Sequence, residues 1–138
     1  MLTCTGRNME PKKILLEGYF PVSLNKYMRT HFFNRKKHKD QADRYLQEWW
    51  VKLSPAERST WNNLIPIKKL EYAKITYKFP DRRKRDFDNF SGKVIFDSLR
   101  QGNILIDDSS EVIGELRLAF KFGCGKEAGT EIELQLKT

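Results

Sequence analysis

The sequence predicts an α+β fold, a mixed single domain of antiparallel strands and two to three helices. Three observations carry this. Apolar residues recur at every second position near both ends of the chain and in its middle, and at steps of three and four in stretches between. No repeat, low-complexity segment or linker divides the 138 residues. A chain of this length buries roughly two thirds of its unfolded surface, so one core stands without disulfide or metal staples. The expected organisation is one domain over residues 1–138, with residues 1–11 as a flexible N-terminus.

The elements follow in order. Residues 13–20, KILLEGYF, place Ile14, Leu16 and Phe20 at even positions, which predicts a strand with one packed face. PVSLNKYMR turns the chain away, and NRKKHK at 34–39, with neither turn nor core signal, reads as a mobile surface loop. From Asp40, residues Ala42, Tyr45, Leu46, Trp49, Trp50 and Leu53 form a helical apolar stripe. The two tryptophans need burial, and core and dimer contact both provide it. SPAE then combines Ser54 as N-cap, Pro55 at the first helical position and Glu57 three after the cap, a capping box opening a short second helix that Pro66 ends. Residues 67–79 alternate, with Ala73, Ile75, Tyr77 and Phe79 on one face and Lys74, Thr76 and Lys78 on the other.

Asp88 is the expected N-cap of a third helix running to about Gln101, with Phe90, Val94, Ile95 and Leu99 buried and Gly102 as its stop. On that helix Asn89, Lys93 and Asp97 would share one stripe. A short apolar piece, 104–106, runs into Asp107 and Asp108. Val112, Leu116, Leu118, Phe120 and Phe122 mark a strand, GCGKEAG a connection, and Ile132, Leu134 and Leu136 a closing strand, the two read as an antiparallel hairpin.

The charge is uneven. Residues 1–85 hold 20 Lys and Arg against 8 Asp and Glu, and residues 86–138 hold 6 against 10, within a total of +8. A basic balance of this kind is the footprint of a chain that meets a polyanion, nucleic acid ahead of a membrane surface or an acidic protein. Two cysteines, Cys4 and Cys124, fit a reducing compartment better than a disulfide framework. The opening residues carry no apolar run of signal-peptide length, and nowhere do 18 uncharged apolar residues stand together, so a cytoplasmic protein with no membrane partner is expected.

The sign of the charge changes inside RRKRDFDNF, residues 82–90. At a strand end, the period of two would place Asp86 and Asp88 on one face and Phe87 on the other. Paired carboxylates repel, and a divalent cation resolves the repulsion. Mg²⁺ takes carboxylate oxygens, keeps several waters and is commonly shared with a substrate phosphate. Asp107 and Asp108 could close on the same ion from the opposite side. Such a site suits phosphodiester hydrolysis, with Arg82, Arg83, Lys84 and Arg85 holding flanking phosphates and Lys93 stabilising charge at the scissile one. The pattern D-x-D alone is weak. It also occurs in glycosyltransferases that hold a nucleotide sugar, and Asp88 could be only a helix cap and DDSS only a turn. An EF-hand is excluded by Phe90 at the fifth position of the loop, and His31 and His38 lack cysteine or carboxylate at zinc-ligand spacing.

The stretch RRKRDFDNFSGKVIFDSL, followed by GNILIDD at 102–108, closely resembles the core of the RusA-type Holliday junction resolvases. Upstream, GYFPVSLNKYMR looks like that family's first strand and P-x-S-x-N segment, and KITYKFPDRRKRD like the strand entering its motif, so the likeness covers most of the chain. The resemblance implies a RusA-like fold and a Mg²⁺-dependent endodeoxyribonuclease, with Mn²⁺ as a substitute. The family acts as a homodimer, resolving four-way DNA junctions by paired symmetric nicks in recombination and repair. It implies Asp86, Asp88 and Asp108 as catalytic metal-binding carboxylates with Asp107 beside them, and Lys93 as catalytic lysine. Asp97 matches the acidic residue four positions later, and Asn25 and Lys26 join residues 82–85 as DNA-binding positions.

Two departures stand out. Lys93 lies four residues after Asn89 where the family's lysine usually lies three after, although the interval from Lys93 to the paired aspartates is kept. The stretch 52–66 is also longer than the family's middle region. A two-fold dimer suits the task, because it places one active site at each of two symmetry-related strands. The alternative reading is a non-catalytic basic nucleic-acid-binding module.

Overall fold

A computed structural model describes residues 10–21, 26, 29, 32–85, 92–107 and 109–137, with the backbone alone for 32–34 and 93. Among the described residues are four strands, β1 (Lys12–Glu17), β2 (Leu70–Lys78), β3 (Leu116–Lys121) and β4 (Gly129–Leu136), and three α-helices, α1 (Phe32–Lys52), α2 (Pro55–Leu64) and α3 (Lys93–Gln101). The strands form one mixed sheet in the order β1-β4-β2-β3, in which β4 runs antiparallel to both β1 and β2 while β2 and β3 run parallel. This is the α+β fold that the periodicities predict.

Alternation decides which face packs. Ile14, Ile132 and Ile75 stand opposite one another across β1, β4 and β2, as do Leu16, Thr130 and Tyr77, and all six are buried. Ala42, Leu46 and Trp49 of α1 and Ile95 and Leu99 of α3 belong to the same core. Trp49 meets Trp61 of α2 edge to face, with ring centroids 5.2 Å apart, so Trp49 is a core residue. Trp50 is only half-buried and lines a shallow groove with Leu46, Val51 and Ile104. The opposite sheet face carries polar pairs instead, among them Tyr72 donating to Glu133 and Lys78 against Glu131.

Three expectations need correction. The hairpin between the last two strands does not form, because β2 lies between β3 and β4. Residues 122–128 are too many for a tight turn and instead cross the end of β2, where the N–H groups of Gly123 and Cys124 donate to the carbonyls of Asp81 and Phe79. Central placement suits β2, whose residues 75–77 are all buried, while β3, with Leu116 exposed, takes an edge.

Secondly, NRKKHK is helix, not loop: residues 34–39 belong to α1. Charge pairs extend the helix past its apolar stripe, Lys36 to Asp40 at 3.7 Å and Lys39 to Asp97 of α3 at 3.6 Å.

Thirdly, among the described residues α3 starts at Lys93 with Gly92 as its N-cap, where Asp88 was the expected cap; Asp88 and Asn89 lie outside the described residues. Glycine is a poor helix former, and the ring of Phe96 and the Cδ1 of Ile75 crowd Gly92 where a Cβ would stand. Of the expected stripe, Lys93 and Asp97 are the members within α3 among the described residues.

Gly102 ends α3 as expected, standing as its C-cap directly after Gln101, and the left-handed residue is the next one, Asn103, with φ 63°. The N–H of Ile104 donates to Leu99 and that of Asn103 to Arg100, a Schellman pairing with Ile104 and Leu99 buried together.

The Ser54 capping box is present in both directions, at 3.0 and 3.1 Å. Val112 precedes β3 in a turn, its N–H bonded to the Ser109 carbonyl. β1 follows Glu10 and Pro11 directly; the rest of the expected flexible N-terminus lies outside the described residues. Among the described residues no helix is long and apolar enough to cross a membrane.

Candidate nucleic-acid interface

The basic run leaves the sheet at the end of β2. Phe79 continues that strand for one more hydrogen bond, to the carbonyl of Lys121, and its ring is near-parallel to Phe20 at 5.3 Å and Phe122 at 5.7 Å, with Phe120 edge-on at 5.1 Å. This aromatic group gives the following charged residues a firm base.

Asp81 then divides the cations. Its carboxylate accepts from the backbone N–H of Arg83 at 3.0 Å, from Arg83 Nε at 3.3 Å and from Arg85 Nη1 at 2.9 Å. Arg85 also stacks over Phe79, 4.0 Å from guanidinium carbon to ring centroid, and its side chain is largely buried. Arg82 and Lys84 are exposed and form no ion pair among the described residues. The four cations are thus two kinds: Arg83 and Arg85 fix the segment's shape, and Arg82 and Lys84 present charge outward.

The Arg85 hydrogen bond, then the Arg83 backbone N–H, hold the Asp81 carboxyl down at about 2. A depressed carboxyl pKa stabilises the folded segment above the unfolded value near 3.9, and that contribution fades as pH falls through about 2. Side-chain NMR of Arg85 should therefore keep its bound shifts at pH 4 and lose them with a midpoint near pH 2, and Asp81→Asn should show the released shifts at every pH.

The other predicted residues fall as follows. Lys93 opens α3 immediately after Gly92, which stands beside Ile75 in the middle of β2. Asp97 is buried and faces Lys39 at 3.6 Å and Arg100 at 4.0 Å, so it ties α3 to α1. Asp107 follows Ile106, whose N–H donates to the Ile67 carbonyl at 3.0 Å, near the beginning of β2. The nine residues of β2 span roughly 30 Å, so Asp107 and the basic run emerge at opposite ends of that strand, with Gly92 between them. Lys26 is an exposed helical residue. Asp86, Asp88, Asp108 and Asn25 lie outside the described residues, as do Phe87, Asn89, Phe90, His31 and Cys4. Among the described residues no group of three His, Cys, Asp or Glu is placed to hold a metal ion.

Sequence reasoning missed Asp81, although an acid directly ahead of a cationic run, four before Arg85, was a usable signal. It also missed the partnership of Lys39 with Asp97, hidden by reading 34–39 as a loop. A scan against protein-family models and a search of curated proteins find no match for this chain.

Proposed function

We propose that this chain is a metal-dependent endodeoxyribonuclease of the RusA kind that resolves four-way DNA junctions, acting as a homodimer. The observation that carries the reading is the ordered series Asp86, Asp88, Asn89, Lys93, Asp107 and Asp108 directly after four consecutive cations. Its support in the fold is that the central strand β2 leads into this series, with Arg82 and Lys84 exposed beside it.

Carboxylate oxygens are the donors a hard divalent ion takes, and Asp86, Asp88 and Asp108 would hold it with Asp107 adjacent. Such an ion supplies polarisation of the phosphoryl oxygen and a nucleophile near neutral pH. The remaining work belongs to the side chains. Arg82 and Lys84 bind phosphates farther along the DNA backbone, Arg83 and Arg85 keep that segment in place through Asp81, and Lys93 offsets charge building on the scissile phosphate. A second copy related by two-fold symmetry provides the partner nick.

Incubation with a synthetic four-way junction and Mg²⁺, beside linear duplex and flap controls, tests the reading. Paired nicks in strands of like polarity, abolished by EDTA, are expected. Salt-sensitive binding without cleavage would assign the chain to the alternative, a non-catalytic nucleic-acid-binding module. Changing Arg82 and Lys84 together to alanine should weaken binding to every DNA sequence alike. It should also reduce the slope of log affinity against log salt by about 2, roughly 0.9 for each lost phosphate contact. A slope equal to that of the unaltered protein would remove both residues from the interface.

A further inference from the structure

We infer that Phe122, flanked by Arg82, is a stacking platform for an unpaired DNA base. The inference rests on the proposed action on branched DNA and names the feature of that substrate which this surface takes.

Phe122 is the most exposed phenylalanine, tyrosine or tryptophan among the residues whose side chains are described, at 38 % of its full accessible surface. It stands just past the end of β3, where a solvated polar residue would cost nothing. Its ring is held from behind, near-parallel to Phe79 at 5.7 Å and edge-on to Phe120 at 6.1 Å. The next residue fixes the backbone: Gly123, at φ 67°, donates to the Asp81 carbonyl at 2.9 Å. An aromatic face already rigid before binding loses little freedom when a ligand lands on it.

The charge around this ring matches a nucleic acid. The guanidinium of Arg82 lies against Gly123, close enough that a Cβ there would meet it at 3.2 Å. Lys121 precedes Phe122, and Lys126 follows in the 3₁₀ turn Gly125–Glu127; both are exposed. Glu127 in that turn is the nearest carboxylate along the chain, since Asp81 is already engaged by Arg83 and Arg85. An apolar protein partner would gain nothing from these cations. A nucleotide uses both parts, its base on the ring and its phosphate on Arg82. Paired bases inside a duplex hide their faces, so the ligand is a base left unpaired, as at a branch point or in a single strand.

Binding of a single-stranded oligonucleotide, and of a four-way junction with 2-aminopurine at the branch, tests this without cleavage when EDTA is present. The unaltered protein should change the 2-aminopurine fluorescence. Phe122→Ala should weaken single-strand binding roughly tenfold and abolish the fluorescence change, with the salt slope and the affinity for linear duplex preserved. Phe122→Trp should retain single-strand affinity. Equal affinity of Phe122→Ala and the unaltered protein would overturn the inference and leave the nuclease reading standing, as would a loss that extends equally to linear duplex. If the unaltered protein binds no DNA of any form, both the inference and the reading it rests on fall.

Discussion

Asp88→Asn is expected to leave folding and junction binding intact while lowering strand cleavage by on the order of 10³-fold. The substitution removes one negative charge and almost no volume. Its specificity comes from the helix boundary. If Asp88 served only as a cap, asparagine would serve as well and nothing would change. Moreover, the N-cap of α3 among the described residues is Gly92. A loss of cleavage without a loss of thermal stability therefore reports on the chemistry of the carboxylate. Denaturing gels of end-labelled junction, read beside a thermal melt, measure both. Cleavage at the rate of the unaltered protein would remove Asp88 from the site.

Gly129→Ala is expected to be the most damaging single methyl among the glycines of the sheet. Gly129 has φ 152°, and a Cβ there would meet the Leu16 carbonyl oxygen at 2.6 Å and the Gly18 nitrogen at 2.8 Å. Both are backbone atoms of the pairing between β1 and β4, where the Gly18 N–H already donates to Ala128 at 2.9 Å. Side chains can rotate away from an intruding methyl, whereas these atoms move only if the ladder parts. Strain and overpacking together should cost about 2–5 kcal/mol, or roughly 10 °C in melting temperature. Gly18→Ala is the comparison: φ is also positive, at 72°, but nothing lies within 4 Å of the added carbon. Its cost should stay near 1 kcal/mol. Equal melting temperatures for the two variants would contradict the steric argument.

The strands were legible because one face of each alternates. Ala73, Ile75, Tyr77 and Phe79 were assigned to the packed side and are all buried. Their neighbours were not legible, since a period of two reports which face is inside and says nothing about which strand lies alongside. β3 and β4 are consecutive in the chain, and yet β2 separates them. The second helix was readable to the residue because its cap is local chemistry between Ser54 and Glu57. The first turns of α1 were not, because Lys36 and Lys39 gain their partners only when the helix and α3 have formed. At the interface, the basic character of residues 82–85 was plain in sequence. The separation of Arg83 and Arg85 from Arg82 and Lys84 depends on how Asp81 turns back upon them, and no periodicity encodes that. Phe122 looked like one more packed residue of a strand that in fact ends at Lys121.

The position of β4 also sets a timetable for the chain. Among the described residues β1 has no neighbour in the sheet except β4, and the residues that pair, such as Ile14 with Ile132, are separated by nearly the whole sequence. During synthesis, therefore, residues 12–17 must wait with a bare edge until residues 129–136 emerge, while α1 and α2 can already coil from local contacts. The apolar stripe of β1 is exposed for that interval, when pairing with another nascent chain competes with closure. β4 thus acts as the clasp of the sheet: one strand, arriving late, joins the earliest part of the chain to β2 and so to the surface from which the basic run projects.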